Sequence, residues 1–457
     1  MNITMISGSS VEVDDTPLGS GSMGIVYGVR DGTQVVKLFK KPSPQLAEFM
    51  GRVIDAYNCT RDPIDARGRY WNTLYVWPTE LVEKPSLGLL MPRFPEGFLN
   101  LKWLFAPKNN ASLPAESRKW NRRVLITWRL AQAVQRFRMY GLAHSDLSHN
   151  NVLANPKTGE VRIIDIDGLV AAEFNQPQVL GTPRYIAPEV MAGTAAPSVA
   201  TDLHALAVLI YQLLLFKHPL LGPFEYGMDP FEPDEIEAKQ LGREGIYIEH
   251  PTDTRNRPKN LPFSARMLGG QLAKLFERAF IDGLRDPAKR PTPLEWRIAL
   301  GRLTDRLITC SNPNCDERYY PVVRHTSTGC PWCNTQLSVP GGLPILCLYE
   351  RGARKTFVPV EEFWIAGYPD RTLHTWHAQT GGDADNFADQ RAIARITRNA
   401  RGEWGLLCTG AAPLARMGRD GSVVHEVGPG ESVPLTEGTI IRLGAEGSRF
   451  ALTQWLK

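Results

Sequence analysis

His144-Ser145-Asp146-Leu147-Ser148-His149-Asn150-Asn151 is the stretch on which the reading of this 457-residue chain turns. Before it, Trp120, Val124, Trp128, Ala131, Val134 and Phe137 recur at spacings of three or four, which predicts a long amphipathic helix. After it come Ile163-Ile164-Asp165-Ile166-Asp167-Gly168 and then Gly181-Thr182-Pro183-Arg184-Tyr185-Ile186-Ala187-Pro188-Glu189. Upstream, residues 10–40 alternate short β-like runs with Gly, Asp and Thr, residues 44–57 can form a short helix, and residues 74–94 return to strand-like text. Residues 200–305 are mostly helical, with a Pro/Gly-rich excursion at 217–262. The order is a small β-rich lobe followed by a larger helical lobe.

Gly19-Ser20-Gly21-Ser22-Met23-Gly24-Ile25-Val26 sets a G-x-G-x-x-G-x-V pattern inside the first hairpin. Glycines let backbone N–H groups approach phosphates without a Cβ in the way. A dinucleotide-binding fold needs a helix directly after such a loop, whereas here a strand follows, which fits a hairpin lying over phosphates. The next turn is read as a two-residue Asp31-Gly32 turn. Lys37 lies thirteen residues beyond Gly24, and its neighbours Val35, Val36, Leu38 and Phe39 make it an inward-facing phosphate ligand rather than a solvated edge charge.

With these segments in this order, residues from about 16 to 305 resemble a protein kinase of the eukaryotic-like Ser/Thr type. The resemblance implies a bilobal fold, with the N-lobe at about 10–94 and the C-lobe at about 95–305, that binds ATP and Mg²⁺. Asp146 is then the acceptor of the substrate hydroxyl's proton, and Asn151 and Asp165 hold Mg²⁺. Lys37 pairs with the α/β-phosphates beneath Gly19, Gly21, Gly24 and Val26. An acid on the 44–57 helix orients Lys37, with Glu48 the expected residue and Asp55 the fallback. Met91 resembles the gatekeeper before the adenine hinge, where Phe94 supplies a backbone N–H. Thr182 and Glu189 belong to the substrate loop, Asp202 resembles the residue that holds the catalytic-loop backbone, and Arg290 the distant partner of Glu189.

Departures from the family pattern shape the expectations. Ser145 stands where many regulated kinases carry Arg, and residues 169–180 contain no Ser, Thr or Tyr. Activity is therefore expected to be independent of phosphorylation within that stretch. Ser148 replaces a lysine that touches the transferring phosphate. Asp167 stands in place of a glycine and is itself a candidate metal ligand, although spacing from Asn151 favours Asp165. HSDLS and IDID also echo small-molecule phosphotransferases, but the GTPRYIAPE segment favours a protein substrate. A pseudokinase scaffold is the other alternative; the presence of Lys37, Asp146, Asn151 and Asp165 counts against it.

Four of the seven cysteines crowd into 24 residues, as Cys310-x4-Cys315 and Cys330-x2-Cys333 with fourteen residues between the pairs. Paired thiolates on tight turns give tetrahedral Zn²⁺ without needing a core, so residues 306–340 resemble a zinc ribbon, with His325 a bystander. Disulfide exchange at Cys-Pro-Trp-Cys is the alternative. Residues 341–457 break into short apolar runs, the text of an all-β sandwich, and resemble a forkhead-associated (FHA) domain. The phosphate-reading positions match poorly: Gly367-Tyr368 stands for Gly-Arg, and Arg391 alone could meet a phosphate.

The fold class is thus α+β multidomain: a bilobal kinase fold at 1–305, a zinc ribbon at 306–340 and an FHA-like sandwich at 341–457. Composition agrees with packed cores, since 43% of residues are hydrophobic and 22% charged. A net charge of +4 is too small to argue for nucleic acid or a membrane surface. The amino-terminal text lacks a basic segment followed by an apolar one, and clustered thiols suit a reducing compartment, so a cytoplasmic location is expected. Kinase followed by zinc ribbon resembles a bacterial group linked to tellurite resistance and stress signalling. That resemblance implies a von Willebrand A-type protein and a PP2C-type phosphatase as partners, beside the protein substrate.

Overall fold

A computed structural model describes residues 1–21, 23–61, 71–105, 113–171, 181–224, 233–261, 263–323, 329–337, 339, 342–352, 356–383 and 391–456. Contacts gather the chain into two units. The first comprises Met1–Arg118, Leu125–Pro258 and Glu277–Pro293, and the second Lys119–Val124, Lys259–Phe276 and Leu294–Lys457.

The first unit opens with seven strands: β1 (Asn2–Met5), β2 (Ser10–Glu12), β3 (Gly19–Ser20), β4 (Gly24–Gly28), β5 (Gln34–Phe39), β6 (Glu80–Lys84) and β7 (Gly88–Pro92). They form one antiparallel sheet in the order β2-β1-β6-β7-β5-β4-β3. Ile3, Met5, Val13, Val29, Val36, Val82 and Leu90 form its buried apolar cluster, with β-branched residues suited to a pleated surface. Its core strand β5 carries Lys37 opposite Val26 of β4 and Leu89 of β7.

The β4–β5 turn is longer than the expected two-residue turn. Val29 N–H donates to the Gln34 carbonyl at 3.0 Å, leaving Arg30–Thr33 as a four-residue loop. Asp31 caps it from within, accepting the Thr33 N–H at 2.8 Å, and Gly32 takes φ +77°, which glycine adopts without a Cβ penalty. Close packing explains another glycine: a Cβ on Gly24 would lie 2.6 Å from the Leu38 carbonyl oxygen. Gly19 and Gly21 have no atom within 4 Å of such a Cβ, so open space stands over that end of the hairpin.

Helix α1 (Pro44–Asp55) begins where Ser43 Oγ accepts the Leu46 N–H at 3.1 Å and Pro44 takes the first turn, two start signals that satisfy otherwise orphaned donors. It buries Leu46, Met50, Val53 and Ile54, one face of a 3.6-residue period, and stops two residues before the expected end.

Beyond the sheet come β8 (Leu99–Asn100), α2 (Trp120–Met139), β9 (Leu142–Ala143), β10 (Val152–Ala154), β11 (Val161–Ile163), β12 (Val170–Ala171) and α3 (Val199–Leu215). The short strands pair as β11-β10-β8 and β12-β9, which fixes both ends of the 144–151 loop. Helix α3 is buried almost all round, its Leu and Ile side chains contributing about 1.5–3 kcal/mol each relative to exposure. The apolar run Leu203–Phe216 is thus a core helix with its cap. Among the described residues no helix is long and apolar enough to cross a membrane.

In the second unit, α4 (Pro293–Thr304) leads into the antiparallel pair β13 (Leu307–Thr309) and β14 (Tyr319–Pro321). Ten strands follow: β15 (Leu343–Arg351), β16 (Phe357–Ala366), β17 (Thr372–His374), β18 (Ala392–Arg398), β19 (Trp404–Cys408), β20 (Leu414–Met417), β21 (Val423–Val427), β22 (Ser432–Pro434), β23 (Ile440–Arg442) and β24 (Phe450–Leu456). They make a six-stranded sheet, β16-β15-β24-β23-β20-β21, and a four-stranded one, β17-β18-β19-β22. All pairings are antiparallel, and apolar side chains of both sheets share one core with Ile308, Cys310, Cys315, Tyr320, Val322 and Cys330. Segment 306–340 therefore borrows a core it is too small to build.

Candidate active site and thiol cluster

Four segments of the first unit converge: β5, the 144–151 loop between β9 and β10, the turn after β11, and Gly181–Glu189. Lys37 is buried, and its Nζ lies 2.5 Å from Asp165 Oδ1, 2.7 Å from Asp167 Oδ1 and 2.8 Å from Asp167 Oδ2. The Asp167 side chain is 2% exposed and that of Asp165 39%. Burial opposes the Lys37 charge, but the carboxylates of Asp167 and Asp165 outweigh it and raise its pKa. Two carboxylates share one ammonium, and burial falls hardest on Asp167, whose pKa is pushed up to about 6. Asp165, despite its own burial, is held below the usual range by Lys37.

Asp165 sits at φ +64°, ψ +44° and opens the 3₁₀ turn Ile166–Gly168. Ser145, at φ +66°, ties that turn to the neighbouring loop by donating from Oγ to the Gly168 carbonyl at 2.7 Å. His144 fixes the same two segments, with Nε2 2.8 Å from the Ile164 carbonyl oxygen. Beneath the loop, the His144 N–H donates to the Asp202 carboxylate of α3 at 2.6 Å. Burial lifts the Asp202 pKa to about 6 against the pull of His144 and the backbone N–H groups it accepts. Asp202 thus holds the loop backbone at His144.

Asp146 is held on both oxygens. Thr182 donates its N–H and Oγ1–H to Oδ1 at 2.6 and 2.7 Å, and Asn151 Nδ2 donates to Oδ2 at 2.9 Å. Ser148 Oγ is 3.2 Å from Thr182 Oγ1, so Ser148 supports Thr182. Glu189 and Arg290 form a bidentate pair at 2.7 and 2.7 Å, with side chains 6% and 1% exposed. Arg290 also donates to the Gly283 and Ala200 carbonyls at 2.9 and 2.8 Å. The Glu189 side is further tied by its helix, Pro188–Met191.

Helix α1 does not deliver the expected acid. Glu48 points to solvent and pairs with Arg52, one turn on, at 3.2 Å; the fallback Asp55 pairs with Arg61 at 3.3 Å. The helical register that buries Leu46, Met50 and Val53 turns both acids outward. Lys37 takes Asp167 in their place. The only sequence sign of this was a second acid two residues beyond Asp165, where a glycine was expected.

Met91 is buried on β7 opposite Val35, and Phe94, exposed, meets Phe98 edge-on with ring centroids 6.4 Å apart. Val26 lies in register with Lys37. Residues 172–180, most of the stretch read as free of phosphorylation sites, and Ser22 of the glycine loop lie outside the described residues. Another residue that sequence reading missed is His218: its ring lies 3.0 Å from the Arg184 carbonyl oxygen through Nε2 and accepts the Leu220 N–H at 3.2 Å through Nδ1. It braces the backbone at Arg184, which stands at φ +74°.

In the second unit, the sulfurs of Cys310, Cys315, Cys330 and Cys333 all lie within 4.8 Å of one another. Cys310 and Cys333 are 3.5 Å apart, Cys315 and Cys330 3.7 Å, and no cysteine is in a disulfide. Tetrahedral thiolate at a Zn–S length of about 2.3 Å spaces sulfurs by about 3.8 Å, so the donor set and its geometry fit zinc. His325 lies outside the described residues. Around the cluster, Trp332 donates its indole N–H to the Tyr319 carbonyl at 2.8 Å and packs on Phe263 and Trp120, with ring centroids at 4.5 and 5.8 Å. Glu317, between the cysteine pairs, accepts the Trp120 N–H through its carbonyl at 2.9 Å and faces the buried Arg123 at 3.6 Å.

The positions compared with phosphopeptide readers are engaged in the fold. Gly367 packs so closely on Pro344 that a Cβ would stand 2.5 Å from its carbonyl oxygen. Tyr368 donates its hydroxyl to Thr309 Oγ1 at 2.5 Å. Arg391 is exposed, and its carbonyl accepts the Thr375 N–H at 3.0 Å.

Residues 111–266 match the family model described as protein kinase domain. A probable serine/threonine-protein kinase CCRP1 of Zea mays is 40% identical over 79 residues, 17% of this chain and 12% of that protein. The protein kinase gsk3 of Schizosaccharomyces pombe is 25% identical over 217 residues, 46% of this chain and 52% of that one. A solved rhoptry antigen kinase domain of Toxoplasma gondii aligns with 66% of this chain and 86% of its own at 15% identity and a TM-score of 0.41. The chain spans about half, or less, of the length of these curated relatives. The matched segment 111–266 contains Asp146, Asn151, Asp165, Thr182, Glu189 and Asp202.

Proposed function

We propose that the chain is a Mg·ATP-dependent serine/threonine protein kinase. The observation that carries this reading is Asp146, whose carboxylate is steadied on Oδ1 by Thr182 and on Oδ2 by Asn151, in the same cluster of loops as the Lys37–Asp165 pair. In the transfer, the substrate hydroxyl oxygen bonds the γ-phosphorus as the bond to the β–γ bridging oxygen breaks. Asp146 takes the hydroxyl proton and ADP leaves. Asn151 and Asp165 offer an amide and a carboxylate oxygen, hard donors that suit Mg²⁺, with Asn151 Nδ2 already spent on Asp146. Bound there, Mg²⁺ supplies neutralisation of phosphate charge. Lys37 supplies the protein's own positive charge at the same place, and the open side of Gly19 and Gly21 leaves room for phosphates.

The GTPRYIAPE segment, with its buried Glu189–Arg290 anchor, supports a protein rather than a metabolite as acceptor. The thiol cluster is proposed as a structural Zn²⁺ site: four cysteines fill a tetrahedron and leave no open position for catalysis. The FHA-like sandwich is proposed as a docking module within bacterial stress signalling. Its partners by resemblance are a von Willebrand A-type protein and a PP2C-type phosphatase. The clustered cysteine pairs, spaced for a metal rather than for disulfides, support a reducing, cytoplasmic setting.

The test is incubation of purified chain with labelled ATP and Mg²⁺, alongside Asp146→Asn, with a generic protein acceptor and a metabolite panel. Label on protein in the wild type alone is the expected result. Equal absence of label in both proteins would favour a nucleotide-binding scaffold, and label on metabolites only would favour a small-molecule kinase.

A further inference from the structure

We infer that Asp167, and not an acid of α1, is the residue that positions Lys37 for the nucleotide phosphates. The inference rests on the kinase reading of the site and deepens it. A lysine ammonium has three N–H donors, and three carboxylate oxygens surround this one: Asp165 Oδ1 at 2.5 Å and both oxygens of Asp167 at 2.7 and 2.8 Å. The two acids are not equivalent. Asp165 is 39% exposed on its side chain and can turn toward solvent or a cation, whereas Asp167 is 2% exposed and has nowhere to go. A buried ammonium keeps its charge only beside a buried counter-charge. Asp167 is therefore the permanent partner, and Asp165 the one that leaves when a nucleotide and its cation arrive.

The turn carrying Asp167 is itself fixed. Ile166 is fully buried, the Gly168 carbonyl accepts from Ser145 Oγ at 2.7 Å, and the Gly168 N–H donates to the Asp165 carbonyl at 3.3 Å. Lys37 is thus oriented by the same turn that carries the cation ligand Asp165. No acid of α1 takes part, for Glu48 and Asp55 are 63% and 77% exposed on their side chains and paired with Arg52 and Arg61. The lysine is set without any movement of that helix, so the site is assembled as folded. This agrees with the absence of an arginine before Asp146.

The experiment compares the full chain with Asp167→Asn, Asp167→Glu, Glu48→Gln and Asp55→Asn. Steady-state kinetics in Mg·ATP separate kcat from KM, and the Mg·ATP-induced shift in melting temperature reads binding without turnover. Asp167→Asn is expected to lose about 100-fold in kcat/KM, as for a displaced charge in a preorganised site, with most of the loss in the KM for ATP. It should also lose the melting shift; Asp167→Glu should restore part of both, and the α1 variants should stay within about twofold of wild type. Glu48→Gln losing as much as Asp167→Asn, or Asp167→Asn with unchanged kcat/KM and melting shift, overturns the assignment. If Asp167→Asn does not fold, the α1 variants decide: retention within twofold supports the assignment, and a tenfold loss overturns it. A wild type without Mg·ATP-dependent label transfer removes the kinase reading and this role with it. A live wild type beside an indifferent Asp167→Asn removes only the role.

Discussion

Replacing Arg290 by Ala tests how far the buried Glu189–Arg290 pair holds the first unit together. The guanidinium makes two 2.7 Å bonds to Glu189 and two more to the Gly283 and Ala200 carbonyls, with its side chain 1% exposed. Removing it strands the Glu189 carboxylate, 6% exposed, without a counter-charge. Breaking a buried pair in this way costs about 3–5 kcal/mol. For a unit of this size that is a fall of about 5–10 °C in melting temperature. The double variant Glu189→Leu with Arg290→Met removes the stranded charge and keeps the volume. What remains is the loss of a donor to two carbonyls, about 1 kcal/mol each, so the double variant should melt above Arg290→Ala. The assay is thermal unfolding of the full chain. A fall under about 2 °C for Arg290→Ala, or a double variant less stable than the single, would refute the reasoning.

Zinc removal by a strong chelator should release one ion per chain and redshift tryptophan emission, because Trp332 packs on Phe263 and Trp120 beside the thiols; Cys333→Ser should contain less zinc as purified. Burial, against a backbone hydrogen bond to Arg184, lowers the His218 pKa to about 4, so the folded chain holds it neutral while the unfolded chain protonates it near 6.5. Stability from this group is complete above pH 6.5 and is lost as pH falls from there toward 4, by roughly 3 kcal/mol. The melting temperature of His218→Asn should accordingly fall less steeply over that window than the wild type's, and parallel slopes would count against the account. Gly24→Ala forces a Cβ to within 2.6 Å of the Leu38 carbonyl and should cost about 1–3 kcal/mol in thermal unfolding, whereas Gly19→Ala, with open space around it, should cost less than about 1 kcal/mol.

Much of the site was legible along the chain. The spacing of Asp146, Asn151 and Asp165 spans one loop and one short hairpin, within which Asn151 bonds Asp146 and the Ile164 N–H, next to Asp165, donates to the Asn151 carbonyl. The two cysteine pairs were equally readable, because each closes on a tight turn and needs little context. A short helix at 44–57 is expected from the sequence, yet Glu48 and Asp55 do not meet Lys37: local text says that a helix can form, not which distant lysine one of its faces approaches. The β4–β5 turn was misjudged for a related reason. Asp31-Gly32 marks a turn, while its length depends on where Val29 and Gln34 pair.

Local text alone carries the order of the elements, the Asp146–Asn151 loop and the four clustered thiols, since each is encoded within a few residues. Tertiary structure alone decided that Lys37 belongs to Asp167, 130 residues away, rather than to Glu48, and that Glu317 meets Trp120 and Arg123. It likewise decided that the cysteine segment shares the core of the two sheets and that His218 braces Arg184. The physical reason is common to all four. Burial makes an unpaired charge or polar group costly, and the partner that relieves the cost is chosen by which side chains the packed chain brings within about 3 Å, a quantity no local pattern carries.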